Sequence, residues 1–138
     1  MATAFTATRV LDAPADLVWE ELTDWSSAAG WLGVQAVRAE GPTAVGTRLA
    51  FTARGRERRS EITALETGRS ITLRSVQGGV TADYRYAVEP DGPRSRVTLV
   101  ADVRTAGLWT LLAPVLRAAI RREDSGQLDA LARRLAQR

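Results

Sequence analysis

Two hydrophobic periods meet at Gly107, and their junction restricts this chain to few architectures. Before it, the apolar residues alternate. Val80, Ala82, Tyr84, Tyr86 and Val88 fall on one face of a strand, and Thr81, Asp83, Arg85 and Glu89 on the other. Val97, Leu99, Ala101 and Val103 repeat the pattern, with Val100 as an exception on the outer face. A period of two with one apolar side is an antiparallel sheet with one buried and one wet face. After Gly107 the spacing becomes helical: Leu108, Leu112, Val115, Ala119, Glu123, Gln127, Leu131 and Leu135 form one stripe, which Leu111, Leu116, Ile120 and Leu128 broaden. Pro114 allows a kink or a late start, and Gly126 weakens the middle of this helix.

Upstream, turn signals divide the chain into further strands. "ATAFTATRVL" (2–11) reads as a first strand. Pro14 suits a helix start, and Asp16 lies in the first turn, where the helix dipole favours it. Leu17, Val18, Leu22 and Trp25 mark that helix's apolar face, widened by Trp19. A second short helix is expected over "DWSSAAG" (24–30). "GPTAVG" (41–46), Gly55, "TGR" (67–69), Gly78–Gly79 and "PDGPR" (90–94) then separate six strands. The order is strand, two short helices, six strands and a long C-terminal helix. An α+β fold satisfies it: a curved antiparallel sheet of about seven strands wrapped around the last helix. With 138 residues and neither repeats nor a linker, one domain spanning 1–138 is expected.

Missing residue types restrict the chemistry. The chain has no Cys, His, Lys or Asn. Thiolate nucleophiles, Ser–His–Asp triads, common zinc sites, Schiff bases and P-loops are therefore excluded. No metal or other cofactor is expected. All 19 cationic side chains are Arg, against 16 acids, and a net charge of +3 is weak support for nucleic-acid binding. No apolar run approaches the roughly 18 residues of a membrane span. The first residues lack the pattern of a secretory signal. The expected location is cytoplasmic, without integral membrane contact, as a monomer or homodimer.

The stretches "VLDAPADLVWEELTDW" (10–25), "GPTAVGTRLAF" (41–51), "ETGRSITLRSVQGGVTADYRYAVEP" (66–90), "SRVTLVADV" (95–103) and "LLAPVLRAAIRREDSGQLDALARRL" (111–135) resemble, in this order, the START-like (SRPBCC, helix-grip) superfamily, and most of all its polyketide cyclase/dehydrase branch. The resemblance implies a cavity between sheet and C-terminal helix that receives a hydrophobic small molecule or lipid. It leaves three readings open: a carrier or sensor without turnover, a cyclase/dehydratase acting on a poly-keto or aromatic precursor, or a quinone- or lipid-binding protein at a membrane surface. The superfamily has no universal catalytic motif to transfer.

Three of the four tryptophans, Trp19, Trp25 and Trp31, crowd into 13 residues of a chain with eight aromatics. Trp19 is expected to anchor the first helix in the core. Trp25 and Trp31 are open to two uses, core plug or cavity wall, and Trp109 is placed at a rim. Without His, Cys or Lys, the phenols of Tyr84 and Tyr86 are the leading acid candidates, against plain packing with satisfied hydroxyls. Glu123 is the third catalytic candidate, as a base if buried or a solvated member of "RRED" if not. Ser75 and Gln77 share a face with Ile71 and Leu73, as Arg58 and Ser60 do with Ile62. Ser75, Gln77 and Arg58 are the candidate polar contacts to a ligand, against a reading in which Ser75 and Gln77 point at the sheet end and meet water, and Leu112, Val115 and Ala119 are the apolar ones. "RGRERRSE" (54–61) reads as a solvated tip with internal charge pairs, against an anionic ligand gate, an acidic partner site or a nucleic-acid contact, the last unsupported by interleaved aromatics.

Overall fold

A computed structural model describes residues 2–26, 35–53, 55–124 and 126–136. Trp31 lies outside the described residues, as do the side chain of Glu123 and positions 27–30 of the expected second short helix.

Seven strands form one antiparallel sheet: β1 (Ala2–Leu11), β2 (Gln35–Ala39), β3 (Arg48–Ala53), β4 (Arg56–Glu66), β5 (Ser70–Gln77), β6 (Val80–Asp91) and β7 (Arg94–Thr105). The spatial order is β1-β7-β6-β5-β4-β3-β2. From β2 to β7 each strand pairs with the next in sequence, and β1 closes onto β7. Alternation in β6 and β7 is realised as the sequence predicts. Ala82, Tyr86 and Val88 are buried on β6, and Val97, Leu99, Ala101 and Val103 on β7. The β5–β6 turn is the two-residue Gly78–Gly79 hairpin, with Gln77 opposite Val80 and Gly78 at φ 57°. At the far edge, β2 is irregular. Gln35 opposes Thr52 and Arg38 opposes Ala50, and Ala36 between them adopts φ 53°, a conformation unusual for alanine.

Helix α1 (Ala15–Leu22) follows β1. Pro14 precedes it in extended conformation, as expected of a residue without an amide donor at a helix start. The Asp16 carboxylate accepts the Leu17 amide. The helix stops at Leu22, so Trp25 lies three residues beyond it rather than on its face. The C-terminal helical region divides where Pro114 and Gly126 weaken it. A 3-10 turn spans Gly107–Leu112, α2 runs over Ala113–Asp124, and α3 over Gln127–Ala136.

The core lies between the concave sheet face, α1 and α3. Val18 and Leu22 of α1, Leu128 and Leu131 of α3, and Ile62, Ile71, Tyr86, Val97 and Leu99 of the sheet are all essentially inaccessible. The two helices are tied by an ion pair. Glu21, 3 % exposed, accepts from Arg134 Nε at 3.3 Å. Ser95, fully buried, donates to the Ala13 carbonyl at 2.6 Å and fixes the β1–α1 corner against β7.

Candidate functional site: a graded trough on the concave face

Strand pairing arranges the inward side chains in rows across the sheet, each about 7 Å from the next because alternate residues share a face. One step out from the buried Val88–Val97 pair lies the row of Leu65, Ile71, Tyr86 and Leu99. The next is Ile62, Leu73, Tyr84 and Ala101. The third is Leu49, Ser60, Ser75, Ala82 and Val103, in which the Ser60 and Ser75 hydroxyls are hydrogen-bonded at 2.8 Å. The outermost holds the Phe51–Arg58 pair on β3–β4 and Gln77, Val80 and Thr105 on β5–β7. The face thus passes from hydrocarbon to hydroxyl to guanidinium and amide.

Burial drops only at the outermost row: Leu49, Ser60, Ala82 and Val103 of the third row are still buried, whereas Phe51, Arg58, Val80 and Thr105 are half-buried. Tyr86 is 1 % exposed, and its hydroxyl donates to the Gln127 side-chain oxygen of α3 at 2.5 Å. That phenol ties α3 to the sheet. Tyr84, one row out, is half-buried, as are Ser75, Arg58 and Phe51. Gln77 reaches the end of the sheet and is exposed. Arg58 differs from its neighbours. Arg59 pairs with Glu40 and Glu57, and Arg38 with Glu57, all on the outer surface. Arg74 binds Asp83 at 2.7 and 2.9 Å, a contact that raises the guanidinium pKa further. Arg58 faces the same way as Ser60 and Ile62 and has no carboxylate partner among the described residues. The "RGRERRSE" hairpin is thus a solvated, internally paired tip on one side, with the half-buried Arg58 and the exposed Arg56 on the face of Ser60 and Ile62.

The tryptophans separate. Trp25 is a plug: 7 % exposed, within the core cluster, its Nε1 donating to Thr43 Oγ1 at 3.0 Å. Trp19, the expected anchor, is only half-buried and packs on the outside of that cluster. Trp109 sits at the rim where the outermost row ends. A Cβ on Gly79 would stand 2.5 Å from Trp109 Cδ1 and 2.6 Å from the Ala106 carbonyl oxygen. Glycine is what lets the indole and the 3-10 turn close on this hairpin. The Ala106 amide then donates to the Gly79 carbonyl at 2.8 Å.

The expected apolar lining from the C-terminal helix is not brought to the trough. Leu112 is 49 % and Val115 66 % exposed, and Ala119 is also exposed. The stripe is continuous in sequence, but α2 and α3 are separate segments. Leu128 and Leu131 of α3 face the core, whereas α2 turns Leu116 and Ile120 toward the protein and leaves the other side in water. Sequence reasoning missed the Glu21–Arg134 tie and Phe51 beside Arg58. The signal for Phe51 was its alternation with Leu49 on β3.

The sequence profile for "polyketide cyclase / dehydrase and lipid transport" proteins matches residues 2–136. A search of curated proteins found no match. Among solved structures, a Thermobifida fusca protein superposes with a TM-score of 0.77 at 21 % identity, covering 99 % of this chain and 95 % of its own. A START superfamily protein from Mycobacterium smegmatis gives 0.72 at 14 % identity, covering 96 % and 97 %. Truncated norcoclaurine synthase from Thalictrum flavum gives 0.69 at 14 % identity, covering 100 % and 98 %. At these identities the likeness establishes a shared helix-grip fold, and with the profile match over nearly all of its length the chain belongs to the polyketide cyclase/dehydrase and lipid transport family.

Proposed function

We propose that the protein binds an amphipathic small molecule in the concave trough, as a carrier or sensor, with the apolar part inward and a polar end at the outer rows. The observation that carries this reading is the grading of the concave face, from Ile62 and Leu73 through the Ser60–Ser75 pair to the unpartnered Arg58. Such sites combine apolar walls with a few placed polar groups. The absence of His, Cys and Lys leaves few groups for efficient turnover and favours binding.

Thermal unfolding tests it with a series of fatty acids, matched fatty alcohols, quinones and flavonoids. A ligand at 100 times its Kd adds about 2.7 kcal/mol of stability, a clear rise in Tm. Tryptophan emission is expected to change with it, because Trp109 borders the outer row. Arg58→Leu should weaken binding of the acid roughly tenfold through the loss of a charge-assisted hydrogen bond, and spare the alcohol. No shift in either signal across the whole series would end the binding reading.

A second reading, turnover of a poly-keto substrate, is favoured by one observation. Tyr84 places a half-buried phenol on the second row, within the trough rather than sealed behind α3. The structural neighbour named as a synthase shows that this fold can carry catalysis. In this reading Tyr84→Phe lowers the rate about 100-fold with little change in Tm, as expected for loss of one general acid. An unchanged rate would return Tyr84 to packing.

A further inference from the structure

The start of the C-terminal helical region carries a surface that the ligand reading does not use. Trp109, Leu111, Leu112 and Val115 are 42, 81, 49 and 66 % exposed and follow one another along the 3-10 turn and the first turn of α2. Single exposed apolar residues need no explanation, but a contiguous patch does. The charges around it point to what covers it. From Val103 to the end of α2 the chain has four arginines, Arg104, Arg117, Arg121 and Arg122, against two acids, Glu123 and Asp124, which close the helix. Eight arginines elsewhere are ion-paired, while these four, like Arg48, Arg56, Arg58, Arg85 and Arg133, have no carboxylate partner among the described residues.

We propose that the 3-10 turn and α2 dock the protein on an anionic lipid surface, with Leu111, Leu112 and Val115 entering the interface and Arg121 and Arg122 meeting lipid headgroups. An amphipathic helix with apolar residues at one end and arginines along its flank has the composition of interfacial helices. An indole at the boundary suits the headgroup level, where an apolar ring and a polar N–H are both satisfied. A second copy of this chain fits worse. A twofold contact brings a patch against itself, and the arginine excess of one copy would face that of the other. The docking stands apart from the ligand reading, although Trp109 also borders the trough.

The full-length protein is tested without added ligand by sedimentation with phosphatidylcholine vesicles, with and without phosphatidylglycerol. Binding is expected to the anionic vesicles, to fall as salt rises, and to shift Trp emission in a way that Trp109→Phe removes. The double change Leu111→Ser with Leu112→Ser should weaken binding tenfold or more, and Arg121→Gln with Arg122→Gln by a similar factor on anionic vesicles only. All four positions are exposed, so Tm should not move, and the arginine pair serves if the leucine pair misfolds. Absence of sedimentation with anionic vesicles overturns the proposal. So does sedimentation insensitive to both pairs, or a wild-type dimer in solution that the leucine pair converts to monomer. Ligand-induced Tm shifts in the leucine-pair protein, without vesicles, report separately on the trough. Their loss together with retained vesicle binding would count against the trough alone.

Discussion

Trp25→Ala is expected to lower folding stability by roughly 3–5 kcal/mol, the usual cost of deleting a large buried aromatic. The ring is sealed at 7 % exposure within the core cluster. Its N–H is also committed to Thr43, in the loop before β3, so the indole holds that loop as well as the core. Trp25→Phe separates the two contributions. It retains most of the packing and gives up the hydrogen bond, for about 0.5–1.5 kcal/mol. Trp19→Ala should cost less than Trp25→Ala, since Trp19 keeps part of its surface in water. Equilibrium denaturation in urea measures all three. A Trp25→Ala loss below that of Trp19→Ala would overturn the assignment of Trp25 as the plug.

Leu131→Ala is the second large effect, at about 2–5 kcal/mol. Leu131 is fully buried and, with Leu128, fixes α3 against the sheet beside the Tyr86–Gln127 hydrogen bond. The truncation leaves an apolar hole at the inner end of the trough. Such holes stay dry and accept apolar guests. Apolar ligands should therefore recover more stability in Leu131→Ala than they add to the wild-type protein. Calorimetric melting of both proteins with one alkyl ligand checks this. A smaller ligand effect in the variant would show that the hole and the trough are separate.

The sheet was legible in the sequence because β6 alternates over Val80–Val88 and β7 over Val97–Val103 with the single exception of Val100, and both are bounded by glycine turns. Register was not. The Ser60–Ser75 contact depends on a shift in the β4–β5 pairing between Ile62 and Ala64, which no local pattern announces. The C-terminal stripe shows a different limit. Period 3.6 identifies a face but not what that face meets. Across the break near Gly126 two helical segments need not present the same side, so Leu128 and Leu131 are buried while Leu112, Val115 and Ala119 are exposed. Of the two uses open to Trp25, core plug or cavity wall, it takes the plug, while Trp19, the expected anchor, is half-buried on α1, which ends at Leu22. Beyond that point helical spacing no longer governs which ring faces inward. Tyr84 and Tyr86 both face the concave side as alternation requires, but Tyr86 is sealed by its bond to Gln127 of α3, a contact that spans 41 residues.

An open sheet has two free edges, and each is a template on which another chain can polymerise. The irregular pairing of β2 removes one of them. Five residues long, stepped between Gln35 and Arg38, turned out of extended geometry at Ala36, and carrying a charged Arg38–Glu57 bridge, it offers no straight row of amides to an incoming strand. The other edge, β1, is packed by both α2 and α3. Without a usable edge, this sheet resists runaway strand-to-strand growth even in a chain rich in long β-segments.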